Sequence, residues 1–246
     1  MDAWLFWFIM VAVVLLPPMI YLRSIRRAER YRMEPWGALL RTFGAGAVVA
    51  VIISLILSLI LFLMYKEILR VYEIFEDTYT LETLFMACIV APVVEEAAKG
   101  MVVWKRRRKF LEEEDGLVYG ASAGLGFSAT ENMFYGLAAY LVAGTEGFVV
   151  IIIVRSISAV FLHASATALT GYGISQSQIH ATSVIPYYIG AVLLHSAYNF
   201  LASLSIVMGE EYGVVSLLMV IALGWLSFRY TKQKIRTLDS GGKRRA

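Results

Sequence analysis

The chain has 246 residues, 59% of them hydrophobic, with a mean hydropathy of +0.68 and a net charge of +3. So large an apolar share excludes an ordinary water-soluble globule, whose apolar fraction is nearer half. The mild positive charge flanks apolar runs instead of forming a patch of its own, so it gives no sign of a nucleic-acid partner.

Seven apolar segments follow in chain order, at about 3–22, 38–64, 81–104, 116–143, 148–174, 184–208 and 213–230. A helix needs roughly 20 apolar residues to cross a bilayer core. The expectation is an all-α, polytopic transmembrane bundle of about seven spans, a single integral-membrane domain over 1–246, in the cell membrane. No loop exceeds about 20 residues, too short for a soluble core of its own. The first segment reads as a retained span, because "MDAW" lacks the positive charge of a signal peptide. The single Cys88 excludes an intrachain disulfide.

Charge bias predicts the orientation. With the loop after the first segment placed inside, the inner side collects 18 of the 22 basic residues. They fall in three groups: Arg23 to Arg41, the cluster Lys105 to Lys109, and a basic tail over 231–246 extended by Arg229. The outer side holds only Lys66 and Arg70. This positive-inside pattern predicts an external N-terminus and a cytoplasmic C-terminus.

Lys99 and Arg155 remain, both inside apolar segments, together with Glu95, Glu96 and Glu131; His163 and His195 also fall inside segments, and His180 in a polar inner loop. On insertion scales each such charge costs about 2.5–3.5 kcal/mol. Counting helical rise from the inner ends, Glu95, Glu131, His163 and His195 come to lie roughly 14–22 Å deep. Four helices thus bring titratable groups to one level near mid-membrane, which points to a functional site.

In "APVVEEAAKG", Glu95 and Lys99 are four apart and share a face, while Glu96 lies about 100° round the helix. A structural ion pair would need two charges, not three. Pro92, one turn earlier, removes a backbone donor and can bend the helix. "FSATENMFY" supplies Phe127, Glu131 and Asn132. The preceding Gly116, Gly120 and Gly124, at spacing four, predict close helix packing. Arg155 precedes His163 by two turns and can hold a carboxylate or a substrate carbonyl. In "LLHSAYNF", His195 and Asn199 share a face and can present two donors to a developing oxyanion, or equally join helices by hydrogen bonds.

Taken together, "EEAAK", "FSATEN", the Arg155-to-His163 spacing and "HSAYN" resemble the PrsW family of intramembrane proteases. That family belongs to the wider superfamily of CAAX prenyl endopeptidases and bacteriocin-processing proteins. The resemblance spans Glu95 to Asn199 and implies a catalytic core over about 81–208. It implies Glu95 or Glu96 as the residue that activates water, and His195 with Asn199 as oxyanion stabilisers. Glu131 stands where the related endopeptidases carry a His, so Glu131 or His163 would assist the base. Lys99, Asn132 and Arg155 would support the site. It further implies a membrane-anchored peptide or membrane-protein substrate, with a single-span anti-sigma factor as the family's associated target.

The expected site holds no metal or other cofactor, since Lys99 beside Glu95 would repel a divalent cation. The alternatives are a zinc metalloprotease using His163, His195 and a carboxylate, a transporter or proton relay, and a non-enzymatic scaffold.

Overall fold

The computed structural model describes residues 3–72 and 79–242 and contains helices but no strand among them. The outer loop expected near residue 77, and Lys243, Arg244 and Arg245 of the basic tail, lie outside the described residues. Helix α1 spans Ala3–Arg26; α2 (Trp36–Ala45) runs through a π-helical turn, Gly46–Ala50, into α3 (Val51–Tyr72). Next, α4 (Tyr79–Phe85) passes through a second π-helical turn, Met86–Val90, into α5 (Ala91–Trp104). Then come α6 (Glu113–Ser156), α7 (Ala159–His180), α8 (Ile185–Ala202), the short α9 (Leu204–Met208) and α10 (Gly213–Gly242).

Helix α6 is not one rod. Ala143 (φ −130°, ψ 18°) and Gly144 (φ 62°, ψ −154°) leave helical geometry, and the positive φ is one that glycine adopts without steric cost. A Cβ on Gly136 would meet the Phe148 ring at 2.7 Å. In a straight helix those residues would stand about 18 Å apart. The chain therefore doubles back at 143–144, where the sequence pattern separates its fourth and fifth segments.

Helix α7 sits at the centre, packed by α5, α6, α8 and α10. It is small-residue-rich and buried on nearly every side, which is why it carries no amphipathic stripe. The glycine spacing takes effect here. Cβ atoms on Gly116, Gly120 and Gly124 would collide with the backbone carbonyls of Gly171, Thr167 and His163. Only glycine lets α6 and α7 approach backbone to backbone.

The outer helices face the other way. Leu55, Ile56, Leu59, Ile60 and Leu63 of α3 are exposed and apolar. An apolar surface of that extent fits contact with lipid. By length and composition four stretches among the described residues can cross a membrane: Trp7–Arg26, Trp36–Ile68, Glu113–His180 and Glu210–Gly241. The expected segments at 81–104 and 184–208 are helical but do not reach that measure. In α5 the three charges of "EEAAK" lower the hydropathy, and α8 with its short sequel α9 is broken at Ser203.

Three boundaries differ from the sequence reading. The segment expected as one helix over 148–174 is broken at Ile157 and Ser158, so Arg155 lies on α6 and His163 on α7, not two turns apart on one helix. The basic tail expected from 231 is helical to Gly242, continuous with α10. His180, expected in a loop, ends α7, and its Nε2 lies 2.9 Å from Glu113 Oε1.

Candidate functional site

Glu95, Glu96 and Lys99 come from α5, and Pro92 decides how that helix meets α8. In the π turn the Ala91 N–H reaches back five residues to Met86 O. The next such bond would run from residue 92 to Ala87 O, but proline has no N–H. The orphaned carbonyl is taken up from outside the helix: Asn199 Nδ2 donates to Ala87 O at 2.7 Å. Asn199 thus ties α8 to the turn before the two glutamates, and one of its two amide hydrogens is committed there.

Lys99 is fully buried and bracketed by three groups. Its Nζ donates to Glu96 Oε1 at 2.6 Å, lies 3.1 Å from His163 Nδ1, and is 3.6 Å from Glu95 Oε2. It also stands 4.4 Å from the centre of the Phe127 ring. The tight partner of Lys99 is therefore Glu96, three residues before it, and not Glu95, the partner the helical spacing favours. Glu96 is completely enclosed. Its Oε1 also faces His195 Nδ1 at 3.0 Å, and its Oε2 accepts from Thr167 Oγ1 at 3.0 Å.

Glu131, on α6, accepts from Arg155 Nη2 at 2.6 Å and faces His163 Nε2 at 2.7 Å. Arg155 Nε donates to Asn132 Oδ1 at 2.7 Å, and its guanidinium lies 3.8 Å over the Tyr135 ring. Lys99, His163, Glu131 and Arg155 form one chain of contacts across α5, α7 and both arms of α6. The residues that the sequence placed at one depth are here within reach of one another.

The tautomers follow from these partners. An ammonium has three donors and no acceptor. His163 Nδ1, facing Lys99, therefore accepts, and its Nε2 carries the hydrogen that Glu131 accepts. His195 Nδ1 faces a carboxylate, so it carries a hydrogen, and in the neutral ring the lone pair falls on Nε2, 3.9 Å from Glu95 Oε2. A neutral His195 in this setting offers an acceptor, not the oxyanion donor that the motif suggests.

Glu95 differs from its neighbour Glu96. Its side chain is 13% exposed against 0% for Glu96. Its Oε2 accepts no hydrogen bond. The Glu95 side chain lines a cavity of about 450 Å³ together with Glu131, Arg155, His163, Tyr198 and Asn199. The cavity runs along the early part of α10 and the end of α8, away from the basic end of the bundle.

Glu95, His163 and His195 each offer a ligand atom within 4.8 Å of the others, the spacing of a metal site. The donor set does not fit a zinc ion as it stands. Glu95 Oε2 and His195 Nε2 are open, but His163 has one nitrogen turned to an ammonium and the other holding a hydrogen toward Glu131. Two donors remain where a catalytic zinc takes three.

Sequence reasoning missed Thr167, the fourth-residue neighbour of His163 on the same face of α7, which the i, i+4 rule marks as a partner of the same site. It also missed Ala87, whose role is carried by its carbonyl and leaves no trace in residue type.

A family model described as PrsW family intramembrane metalloprotease matches residues 34–226. A Protease PrsW of Clostridioides difficile (strain 630) is 23% identical over 223 residues, covering 87% of this chain and 85% of that protein. A Protease PrsW of Geobacillus kaustophilus (strain HTA426) is 26% identical over 234 residues, covering 92% of each. No solved structure matches. With the match running from α2 into α10 and taking in every residue of the polar cluster, the chain belongs to the PrsW family of intramembrane proteases.

Proposed function

We propose that this multi-pass membrane protein hydrolyses a peptide bond of a membrane-anchored substrate with a water activated by Glu95. The observation that carries the reading is that Glu95 lines the cavity with its Oε2 accepting no hydrogen bond, while Glu96 is fully taken up by Lys99, His195 and Thr167. Glu95 and His195 Nε2 are two adjacent acceptors. A water donating one hydrogen to each keeps a lone pair free for the substrate carbonyl carbon. Glu95 takes the proton as the C–O bond forms, and returns it to the leaving nitrogen as the C–N bond breaks. The oxyanion is met by the second amide hydrogen of Asn199 and the charge of Arg155, both in the cavity wall. Glu96 is a positioning residue: it holds the His195 tautomer and neutralises Lys99. Glu131 and His163 hold Arg155 and Lys99 in place.

The family description names a metalloprotease, and the three clustered donors support zinc as the second reading. It requires Lys99 to withdraw from His163 and that ring to exchange its hydrogen. The deciding experiment is reconstitution of the purified protein with single-span substrate peptides, an anti-sigma factor among them, with and without a chelator. Cleavage that persists through chelation, with no stoichiometric zinc in the active protein, supports the glutamate reading. Loss on chelation and recovery with Zn²⁺ replaces it.

The topology proposed with it is seven spans, an external N-terminus and a cytoplasmic C-terminus. It rests on the basic-residue bias and on the reversal at 143–144. Reporter fusions after residue 109 and at the C-terminus would read cytoplasmic; an external C-terminus would exclude it.

A further inference from the structure

At the basic end of the bundle, remote from Glu95, α1 and α10 flank a second cavity, of about 570 Å³. Its floor is aromatic. Tyr21, Phe161 and Phe228 pack together with ring centroids 4.5–5.7 Å apart. Its wall carries Arg229, Lys232 and Arg236, at i, i+3 and i+7 and so on one face of α10. Lys232 Nζ donates to Ser24 Oγ at 2.7 Å, which turns the ammonium toward α1. The Arg229 guanidinium lies 5.2 Å over Trp225.

Three cations converge on this cleft, and no carboxylate lines it. Among the described residues none of the three makes an ion pair. Like charges held together without a counter-charge repel one another. An anion bound between them would relieve that repulsion. The rest of the lining says what kind of anion. Ile20 and Trp225, which also line the cleft, are apolar and 53% and 47% exposed. Both belong to stretches long and apolar enough to span a membrane. The cleft therefore opens sideways, at the level where a span gives way to its basic end. A ligand matching both features has a negative head and an apolar body.

We propose that the cleft between α1 and α10 binds the phosphate of an anionic glycerophospholipid from the leaflet on the basic side. Arg229, Lys232 and Arg236 take the phosphate oxygens, and the acyl chains run along Ile20 and Trp225. Basic pockets between spans are suited to such head groups. The lipid would clasp the first helix to the last, and α10 packs on α7, which carries His163.

The test uses the full chain purified in a neutral detergent, with lipid binding followed by native mass spectrometry and by thermal shift. The probes are phosphatidylglycerol, phosphatidylcholine and inorganic phosphate. The variant Arg229→Gln/Arg236→Gln keeps the Lys232–Ser24 bond, and Lys105→Gln/Lys234→Gln removes the same charge elsewhere. Phosphatidylglycerol binding should weaken about 30-fold in the first pair, roughly fivefold per charge, and stay near wild type in the second. If the first pair does not purify folded, Arg236→Gln alone should show the fivefold loss. Unchanged phosphatidylglycerol binding in the cleft variants would overturn the site. Equal stabilisation by phosphatidylcholine or by inorganic phosphate would overturn the lipid assignment.

Discussion

Among the described residues two carboxylate oxygens are buried without a hydrogen bond, Glu95 Oε2 and Glu29 Oε1, and they sit in opposite surroundings. Around Glu95 the acids are answered by side-chain cations: Glu96 by Lys99, and Glu131 by Arg155. Around Glu29, in the loop between α1 and α2, the partners of the acids are backbone N–H groups and a phenol. Glu29 Oε2 accepts from the Glu34 N–H at 2.9 Å, Asp115 caps Leu111 and Glu112, and Asp239 accepts from Arg30 and Tyr31. Tyr119 donates to Glu34. Backbone donors close loops at a helix end and leave little to react. Side-chain cations hold acids within a bundle whose backbone donors are taken up by helices. There one oxygen, on Glu95, is left without a hydrogen bond, on a side chain that lines a cavity.

The contrast breaks most sharply at the glutamate pair. Glu95→Gln keeps shape and removes the proposed base, so turnover should be abolished while thermal unfolding stays near wild type. Glu96→Gln leaves Lys99 without its close partner. Breaking a buried pair costs about 3–5 kcal/mol, so this variant should lose stability as well as activity. Parallel cleavage and melting assays separate the two. Near-wild-type cleavage by both would remove the glutamate mechanism.

Asn199 comes next. Asn199→Ala should lower kcat by roughly 10²–10³, the usual cost of one oxyanion donor, with little change in KM. It also frees Ala87 O, so a fall in melting temperature should accompany it. A loss of stability with kcat intact would make Asn199 a tie between α8 and the π turn and nothing more.

At the loop cluster the expected effects are on stability alone. Asp239→Ala removes the acceptor for two backbone N–H groups and should cost about 1–3 kcal/mol without changing kcat in folded protein. Urea unfolding beside a cleavage assay reads both.

A pH dependence completes the series. Burial, the largest cause, pushes the Glu29 carboxyl up to about 8, helped by the nearby Glu34, Asp115 and Glu114 charges; burial raises Glu34 as well. A carboxyl raised in the folded state favours folding below its unfolded value near 4.5, and that contribution is lost as pH rises through about 8. Melting temperature should therefore fall between pH 5 and pH 8. Glu29→Gln should flatten the fall, matching wild type at pH 5 and exceeding it at pH 8. An unaltered slope would show that Glu29 does not carry it.

Much of the molecule was legible in the sequence, because apolar runs and the energetic cost of intramembrane charge are local properties. Hydropathy marked the helices, spacing-four glycines marked the α6–α7 contact, and the shared depth of Glu95, Glu131, His163 and His195 marked the buried polar cluster. What spacing along a helix cannot supply is which neighbour a side chain turns to. The i, i+4 rule joined Glu95 to Lys99, yet α7 brings His163 and Thr167 to the far side of α5 and draws Lys99 and Glu96 together. Likewise "HSAYN" determined that His195 and Asn199 share a face. Only the packed bundle, with Glu96 on one ring nitrogen and the Pro92-orphaned carbonyl on the amide, decided the tautomer of the first and committed one hydrogen of the second. Helix type and depth follow from residues within one turn of each other; hydrogen-bond roles depend on groups 64–112 positions away in the chain.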